Sequence, residues 1–404
     1  MANKNDTLKP PVVSALRGGS NQARVRDHNE RLVLSLIRRN GSLSKAQIAR
    51  LSGLSAQTAT VIMRALETDQ LLVRGTPVRG RVGQPSVPMH LNPDGAYSIG
   101  LKVGRRSADL VLMDFVGNVK SRLRSAYTFP ITADIVEFVT SGTEKLLAGW
   151  KQEQLEKIAG IGIAIPFQLW NWGQLIGAPV EEMEAWRGFD LKSAISIATG
   201  FDAYLENDAT AATGAELVLG RGREFENFCY LFVGFFIGGG IVLNNNVFSG
   251  PSGNAGSFGA MPINSSGPDY VRLLDRASIF VLESMLLKEN RDPAILWQRP
   301  DQWGDLGETL NIWVEQVADS LLMAIIATCA VIDFSAVLID GGFPEQVREM
   351  IVEATAKKLE QMKLEGIHPV KIHSGSIGPN APAMGGAILP IVSRYFISQT
   401  AIYN

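Results

Sequence analysis

The sequence predicts an α/β protein in which a small winged helix-turn-helix domain precedes a larger body of two lobes. The chain has 404 residues, more than one ordinary domain holds. Residues 1–91 contain 14 Lys and Arg against 5 Asp and Glu, whereas the remaining residues contain 24 against 35. A basic head on an acidic body is typical of a nucleic-acid-binding domain joined to a domain with another task. A basic face that is merely solvated is the alternative interpretation.

The composition bounds the class of protein. Hydrophobic residues make up 46% and charged residues 19%, as in a soluble globular protein with sizeable cores. Cys229 and Cys329 lie in apolar segments, which argues against a disulfide scaffold and fits a reducing compartment. The first 20 residues lack the apolar core of a signal peptide, and the longest apolar run, Leu321–Ile332, is too short to span a bilayer. We therefore expect a cytoplasmic protein, nucleoid-associated when bound to DNA, with no membrane partner.

Three helices around a tight turn are predicted near the start of the chain. Apolar residues at helical spacing indicate a first helix that ends at Asn40-Gly41, since both residues tolerate left-handed backbone. A second helix begins near Ser44, an N-cap residue, and a third is expected at about Ser55–Asp69. Ala49 and Gly53 are small where the second and third helices must approach each other. This spacing predicts a helix-turn-helix.

The third helix is the predicted recognition helix. Its candidate DNA-contacting residues are polar and lie towards its amino-terminal half: Ser55, Gln57, Thr58, Thr60 and Arg64. Such residues enter the major groove, where Gln can pair with an adenine edge and Ser or Thr with bases or phosphates. For any one of them, an ordinary solvated helix position is the alternative.

A wing is predicted after the third helix. Two β-prone pieces, Leu71–Val73 and Val87–Leu91, flank a basic segment rich in Gly and Pro. Arg79 and Arg81 at its tip are separated only by a glycine, which suits entry into a narrow A·T-rich minor groove. A flexible linker that contacts only phosphates is the alternative.

The body alternates strand-like and helix-like runs, which is typical of sheets flanked by helices. We expect strands at Tyr97–Val103, Ala108–Asp114, Ile158–Ile165, Tyr230–Phe236, Gly240–Leu243 and Ala336–Ile339. Long helices are expected at Ile135–Trp150, Leu306–Ile332 and Phe343–Leu364. The size of the body predicts two lobes with a cleft between them.

Three segments of the body carry candidate chemistry. They are Glu206–Glu216, which begins Glu-Asn-Asp-Ala, the glycine-rich run from Gly238 to Gly259, and the Gly341-Gly342 turn. Glycines that follow a strand let backbone N–H groups approach a phosphate or a sugar closely. A glycine triplet by itself is more often only a tight turn.

Taken in this order, the segments resemble the ROK family of repressors, open reading frames and sugar kinases over nearly the whole chain, as far as Gly378–Ile388. The resemblance implies a two-lobed actin-like ATPase fold, like that of sugar kinases. It also implies that Asn207 holds sugar hydroxyls and that Asp208 occupies the position of the catalytic base, which accepts a hydroxyl proton. A helix start capped by these two residues is the alternative. The implied division is a flexible tail over 1–20, the winged helix-turn-helix over 21–91, a small lobe over 92–205 to which 385–404 returns, and a large lobe over 206–384.

The first phosphate loop departs from the kinase pattern. The family's Gly-x-Asp-x-Gly-Gly-Thr aligns with Gly100–Arg106, where Lys102 replaces the Asp and Arg105 and Arg106 replace the second Gly and the Thr. The loop thereby loses a carboxylate that organises Mg²⁺ and gains two bulky side chains where the nucleotide must lie. We therefore expect that Asp208 no longer serves catalysis and that the chain has no cofactor. A cationic loop can still attract an anion, so nucleotide binding stays open.

The sugar and zinc positions of the family are also altered. Its Ala-Gly-Glu-x-Gly-His reads Ala255–Ala260 here, with Ser257 and Ala260 in place of Glu and His, and no cysteine cluster follows. We therefore expect no bound metal, since tetrahedral zinc needs N or S ligands. The resemblance assigns ligand binding to Asn207, Asp208, Gly239, Gly256, Ser257 and Asp275. A pocket that lacks hydrogen-bonding groups is expected to bind a common hexose weakly, and to prefer a modified, less polar or smaller ligand.

The expected function is that of a DNA-binding transcriptional regulator, a repressor, that senses a small carbohydrate effector between the lobes of a catalytically degenerate body. Helix-turn-helix proteins usually read two half-sites. We therefore expect a homodimer, or a tetramer, on an inverted repeat in double-stranded DNA. Two alternatives remain open: an active ATP-dependent sugar kinase with an accessory head, and a regulator controlled by a protein partner with a vestigial pocket.

Overall fold

The computed structural model describes residues 22–77, 87–173, 177–265 and 270–397. The predicted tail over residues 1–20 lies outside the described residues, as do Arg79 and Arg81 at the predicted wing tip.

The amino-terminal domain, here called the head, contains the three predicted helices and a two-stranded wing. Its elements are α1 (Gln22–Asn40), α2 (Lys45–Ser52), α3 (Ala56–Thr68), β1 (Leu72–Arg74) and β2 (Met89–Leu91). The wing strands are antiparallel, with Leu72 opposite Leu91. Ser44 and Gln47 form a capping box at the start of α2, and Gly53 ends that helix at a φ of 70°. These local signals confirm the predicted helix-turn-helix.

A small apolar core holds the head together. Its buried residues come from all three helices and from the wing strands. They include Val33, Leu34, Ile37, Ile48, Ala59, Ile62, Met63, Leu66, Leu72 and Leu91. The spacing of these residues along α1 and α3 places one apolar face of each helix inward, and the opposite face of α3 is left to solvent.

The first lobe is built on a five-stranded sheet in the order β5-β4-β3-β6-β7. The strands are β3 (Tyr97–Val103), β4 (Ser107–Asp114), β5 (Val119–Ala126), β6 (Ile158–Ile165) and β7 (Ala203–Asn207). The first three are antiparallel, and β3, β6 and β7 are parallel to one another. The helices that the structure describes in this lobe are α4 (Thr132–Leu146), α5 (Gln152–Leu155), α6 (Val180–Glu184) and α7 (Leu191–Thr199).

The second lobe has its own five-stranded sheet, in the order β10-β9-β8-β13-β14. The strands are β8 (Phe228–Val233), β9 (Ile237–Leu243), β10 (Asn246–Phe248), β13 (Ala336–Gly341) and β14 (Lys371–Ser374), and a separate hairpin pairs β11 (Pro262–Ser265) with β12 (Tyr270–Arg272). Helix α8 (Asp208–Val218) directly follows β7. The later helices that the structure describes are α9 (Ile279–Lys288), α10 (Ile295–Gln298), α11 (Glu308–Cys329), α12 (Glu345–Gln361) and α13 (Ala381–Tyr395).

Helix α13 lies against the first sheet and against α8, so this helix packs on the first lobe. Glycines permit this close approach. A Cβ at Gly162 on β6 would overlap the carbonyl oxygen of Gly386, and a Cβ at Gly385 would overlap that of Ala211. Because backbone cannot give way as a side chain can, this packing depends on glycine.

The head packs directly on the body at the carboxyl end of α13. Phe396 is only 3% exposed, and its ring stacks on Phe115 with 5.5 Å between centroids. The guanidinium of Arg38 on α1 lies 4.2 Å from the centroid of the same ring. The backbone N–H of Ile397 donates to Ser35 Oγ at 3.0 Å. Burial lowers the pKa of Arg38 to about 10, so this cation forms part of a desolvated interface.

Helix α11 is long and apolar enough to cross a membrane by length and composition, as no other helix is in the described part of the chain. Buried residues make up 56% of its apolar window, and Trp313, Val317 and Leu321 are fully buried. The core helix of a soluble protein has the same properties, so the helix is weak evidence for a membrane span.

The structure corrects the interpretation of the glycine triplet. Gly238–Gly240 lies within strand β9 and forms no turn. A Cβ at Gly239 would overlap the carbonyl oxygen of Tyr230, and one at Gly240 would overlap the Thr213 side chain. The triplet therefore lets α8 and β8 pack tightly against β9. The predicted strand at Tyr230–Phe236 is also displaced: β8 begins at Phe228 and ends at Val233.

Candidate ligand cleft and DNA-binding surface

The start of α3 is held by its own side chains. Ser55 is the N-cap, and its Oγ accepts from the backbone N–H of Thr58 at 3.0 Å and lies 2.8 Å from Thr58 Oγ1. Thr60 Oγ1 donates to the carbonyl oxygen of Ala56. These predicted DNA-contacting hydroxyls therefore already take part in local hydrogen bonds, which position the helix.

The outward face of α3 carries the side chains that reach solvent. Gln57 and Arg64 are exposed, as the sequence predicted for DNA contacts, and the structure places them seven residues apart on one helical face. Val61 lies between them and is 60% exposed. Val61 was not among the residues predicted to contact DNA, because an apolar residue in a helix is normally assigned to the core. Its spacing of four from Gln57 and three from Arg64 was the available signal.

The two lobes of the body enclose a cleft of about 790 Å³. Its wall combines polar groups from both lobes with aromatic rings, among them Phe235, Phe236 and Trp297. A cavity of this size with an apolar wall and a few convergent polar groups is typical of a small-molecule site.

Asn207 and Asp208 line the cleft at the junction of β7 and α8. The Asn207 side-chain oxygen caps α8 by accepting from the backbone N–H groups of Ala209 and Thr210. Its amide nitrogen is the part of the side chain suited to a ligand oxygen. Burial raises the pKa of Asp208, while Arg105 and Lys102 oppose the shift. The pair therefore combines the capping role with a place in the cleft.

The end of β3 and the turn that follows it supply cations to the cleft. Lys102, Arg105 and Arg106 all line it. Arg106 pairs with Glu283 at 2.8 Å, and the Arg105 guanidinium lies 4.3 Å from the ring centroid of Phe236. The sequence had identified these three residues as departures from the kinase loop, and the structure brings them to one wall.

Among the remaining predicted ligand residues, three line the cleft and one does not. Gly239, Gly256 and Ser257 are on its wall, whereas Asp275 is not. Asp275 instead forms a two-point ion pair with Arg272, at 2.8 and 3.0 Å. Ser257 Oγ donates to Asn254. In the described residues, no group of three or more His, Cys, Asp or Glu side chains is arranged to hold a metal ion.

Arg124 is a cleft residue that the sequence analysis missed. It lies on β5, pairs with Asp109 at 3.1 Å and donates to Ser107 Oγ at 3.0 Å. Strand β5 alternates basic residues with others, which resembles an ordinary solvated edge strand. Only the pairing of β5 with β4 reveals that Arg124 is directed to the cleft.

Comparison with known proteins finds a family match for both parts of the chain. Residues 26–73 match the winged helix-turn-helix DNA-binding family, and residues 98–270 match the ROK family. The xylose repressor of Bacillus subtilis (strain 168) is 26% identical over 257 residues, which cover 62% of this chain and 64% of that protein. The β-glucoside kinase of Listeria innocua is 33% identical over 129 residues, or 31% of this chain and 43% of the kinase.

A solved structure shares the fold of both parts. It is that of a ROK family transcriptional regulator described as a homolog of the Escherichia coli MLC protein. The two align with a TM-score of 0.66 at 22% identity, over 92% of this chain and 97% of the other. The predicted fold class is thereby confirmed. The chain therefore combines a region that matches the ROK family, over residues 98–270, with an amino-terminal region that matches the winged helix-turn-helix DNA-binding family, over residues 26–73.

Proposed function

We propose that this chain is a DNA-binding transcriptional repressor that senses a carbohydrate in its cleft and does not phosphorylate it. The proposal is carried by the coexistence of two surfaces in one chain. One is the exposed face of a capped recognition helix, and the other is the cleft between the lobes of a ROK body. Its similarity to the xylose repressor supports the same combination.

Helix α13 is the proposed connection between the two surfaces. It begins at Ala381, beside Pro379 and Pro382, which line the cleft. It ends next to Phe396, which lies under Arg38 of the head. A ligand that favours closure of the lobes would move α13 and thereby the head, so that ligand binding and operator binding become coupled.

The proposed operator is an inverted repeat bound by a homodimer. Each recognition helix would present Gln57 and Arg64 to a major groove, and the wing would bring Arg79 and Arg81 to the adjacent minor groove. Rotation of the two heads relative to each other would change how well they match half-sites at a fixed spacing. The protein would act in the cytoplasm, on the nucleoid.

Binding to promoter DNA tests the proposal. The purified protein is expected to prefer particular promoter fragments of its own genome over random duplex by about a thousandfold or more at moderate salt. A matched preparation carrying Gln57→Ala and Arg64→Ala should lose this preference while it unfolds at an unchanged temperature. Equal affinity of the parent protein for all fragments would rule out the repressor function.

An active sugar kinase is the second candidate. It is favoured by Asp208, which is half-buried in the cleft at the base position, and by the similarity to a β-glucoside kinase. It is opposed by Lys102, Arg105 and Arg106 in the phosphate loop. Sugar-dependent ATP consumption that disappears in Asp208→Asn would favour the kinase over the sensor.

A further inference from the structure

The outward face of α3 has an apolar side chain between two polar ones. Gln57, Val61 and Arg64 are all exposed, and spacings of four and three residues place them on one side of the helix. The opposite side of α3 faces the apolar core of the head. Val61 is 60% exposed, so most of its side chain is available to a partner.

The position of Val61 separates it from other exposed apolar residues. Single apolar side chains on a surface are common and need no special explanation. Val61, however, lies one helical turn from each of the two side chains proposed to contact DNA. If Gln57 and Arg64 reach one groove together, the side chain between them must enter the same groove and lose its water.

The side chains beside this face are short or already engaged. Ala56 is exposed and carries only a Cβ beyond the backbone. Thr60 Oγ1 donates to the carbonyl oxygen of Ala56 at 2.8 Å, which holds the hydroxyl against the helix. The Glu67 carboxylate accepts from Arg74 at 2.6 and 3.1 Å, and this pairing reduces its repulsion of a phosphate backbone. The helix can therefore approach base edges closely enough for the short side chain of Val61 to touch them.

The chemistry of the major groove decides what a valine can recognise there. Guanine, cytosine and adenine present hydrogen-bonding groups at their edges, whereas thymine also presents its C5 methyl group. Valine has no side-chain donor or acceptor, so it would displace water from a polar edge without replacing the lost hydrogen bonds. Against a thymine methyl it removes apolar surface from water on both partners. The contact therefore favours thymine.

The spacing along α3 relates this base to the one proposed for Gln57. A helix rises about 1.5 Å per residue, so Val61 lies about 6 Å further along the axis than Gln57. Base pairs are spaced by about 3.4 Å, and the two residues of a helix that follows the groove are thus about two base pairs apart.

We infer that Val61 determines part of the operator specificity by contacting the C5 methyl group of a thymine in each half-site. The inference rests on the proposed function and adds to it a base that the polar residues of α3 do not read. The thymine lies about two base pairs from the base that Gln57 contacts.

Replacement of thymidine by deoxyuridine tests this contact, because it removes the methyl group and leaves base pairing unchanged. The full chain first selects its operator from random-sequence duplex DNA, and each thymine of that operator is then replaced in turn. At one thymine per half-site, the parent protein is expected to lose about fourfold in affinity, the effect of one buried methyl group. Replacement in both half-sites should cost about fifteenfold.

Variants assign the methyl contact to Val61. Val61→Ala should bind the thymine operator about fourfold or more weakly than the parent, and should bind the thymine and deoxyuridine operators equally. Val61→Ile keeps a branched apolar side chain and should keep the dependence on the methyl group. Val25→Ala removes a 49% exposed valine from α1 and is the matched control, which should leave both affinities unchanged. Because these positions are exposed, the unfolding temperatures of the variants should match that of the parent.

Three results would overturn the inference: equal affinity of the parent protein for all deoxyuridine operators and the thymine operator, a deoxyuridine effect that persists in Val61→Ala, or a change of oligomeric state in Val61→Ala in place of a change in methyl dependence. The last result would assign Val61 to a protein contact. In each case, sequence-specific binding by the parent leaves the repressor function standing. Equal affinity of the parent for every duplex would refute the repressor function itself, and this inference with it.

Discussion

The head and the cleft differ in how far apart along the chain their working residues lie. On α3 the proposed DNA contacts fall within one short helix, and residues three or four positions away position them. In the cleft, Lys102, Arg124 and Asp208 come from two strands and a helix start, and the partners of the wall cations lie as far away as Glu283. The head is thus organised by local hydrogen bonds that water can reach, and the cleft by buried long-range ion pairs.

A substitution at the contact between the head and the body should have the largest effect. Phe396→Ala removes a buried ring that stacks on Phe115 and supports the Arg38 guanidinium. We expect a loss of about 3 to 5 kcal/mol in the free energy of unfolding, as for other buried Phe-to-Ala changes. Ligand-dependent changes in operator affinity should also weaken, because the head loses part of its contact with the carboxyl end of α13.

Chemical denaturation and operator titrations with and without ligand measure the two effects of Phe396→Ala. Phe248→Ala is the matched control, since Phe248 is 47% exposed. Equal stability of the two variants would show that the interface does not hold the head in the observed position.

A substitution that disturbs the close packing of α13 on the first sheet should have the next largest effect. A Cβ at Gly162 overlaps the backbone of Gly386, so Gly162→Ala is expected to destabilise the body by about 2 to 3 kcal/mol. The added Cβ of Gly53→Ala in the head meets no neighbouring atom. Only the positive φ of 70° is unfavourable for alanine, and it should lower the free energy of unfolding by about 1 kcal/mol. Gly188→Ala, where open space surrounds the position and φ is not positive, serves as the control.

Denaturant melts of these three glycine variants separate steric overlap from backbone strain. Should Gly162→Ala prove as stable as Gly188→Ala, the packing of α13 on β6 would have to be looser than observed.

The difference between local contacts in the head and long-range contacts in the cleft also explains which parts of the structure the sequence could predict. The head could be predicted in detail because its signals are local: Ser44 and Ser55 as caps, Gly53 as a left-handed end, and apolar residues at helical spacing. In the body, β3 and β6 were predicted at their observed bounds. Apolar residues alternate with Ser98, Gly100 and Lys102 in β3, and β6 contains only apolar residues and glycine.

The cleft could be predicted only in part. The family resemblance predicts a place in the cleft for Asn207 and Asp208, and it identifies Lys102, Arg105 and Arg106 as replacements in the phosphate loop. The place of Arg124 on the cleft wall follows from the pairing of β5 with β4. Asp275 does not line the cleft and instead forms an ion pair with Arg272. The turn offered as the alternative for the glycine triplet is wrong, and the tight packing of the triplet could not be predicted because its closest neighbours, Tyr230 and Thr213, lie on other elements.

Base preference should respond to the outward face of α3. Gln57→Ala is expected to relax discrimination at one operator position by about 1 kcal/mol, because a glutamine paired with an adenine edge is lost. The substitution is exposed, so the free energy of unfolding should change little. Binding to a library of operators with single base changes measures the effect. Thr68→Ala, at the far end of the same helix, is the control, and an unchanged preference in Gln57→Ala would place the reading surface elsewhere.

The smallest expected effect concerns the wing, where charge matters more than geometry. Arg81→Ala should weaken binding to all operators by a similar factor, because a minor-groove or phosphate contact carries little sequence information. The slope of log affinity against log salt concentration should fall in magnitude by about 0.9, the value for one released counterion. Arg187→Ala removes an exposed cation of the body, paired with Glu184, and should leave the slope unchanged. If Arg81→Ala instead altered the preference at single base pairs with no change in slope, the wing would read sequence directly, and the division between a base-reading helix and a phosphate-binding wing would be wrong.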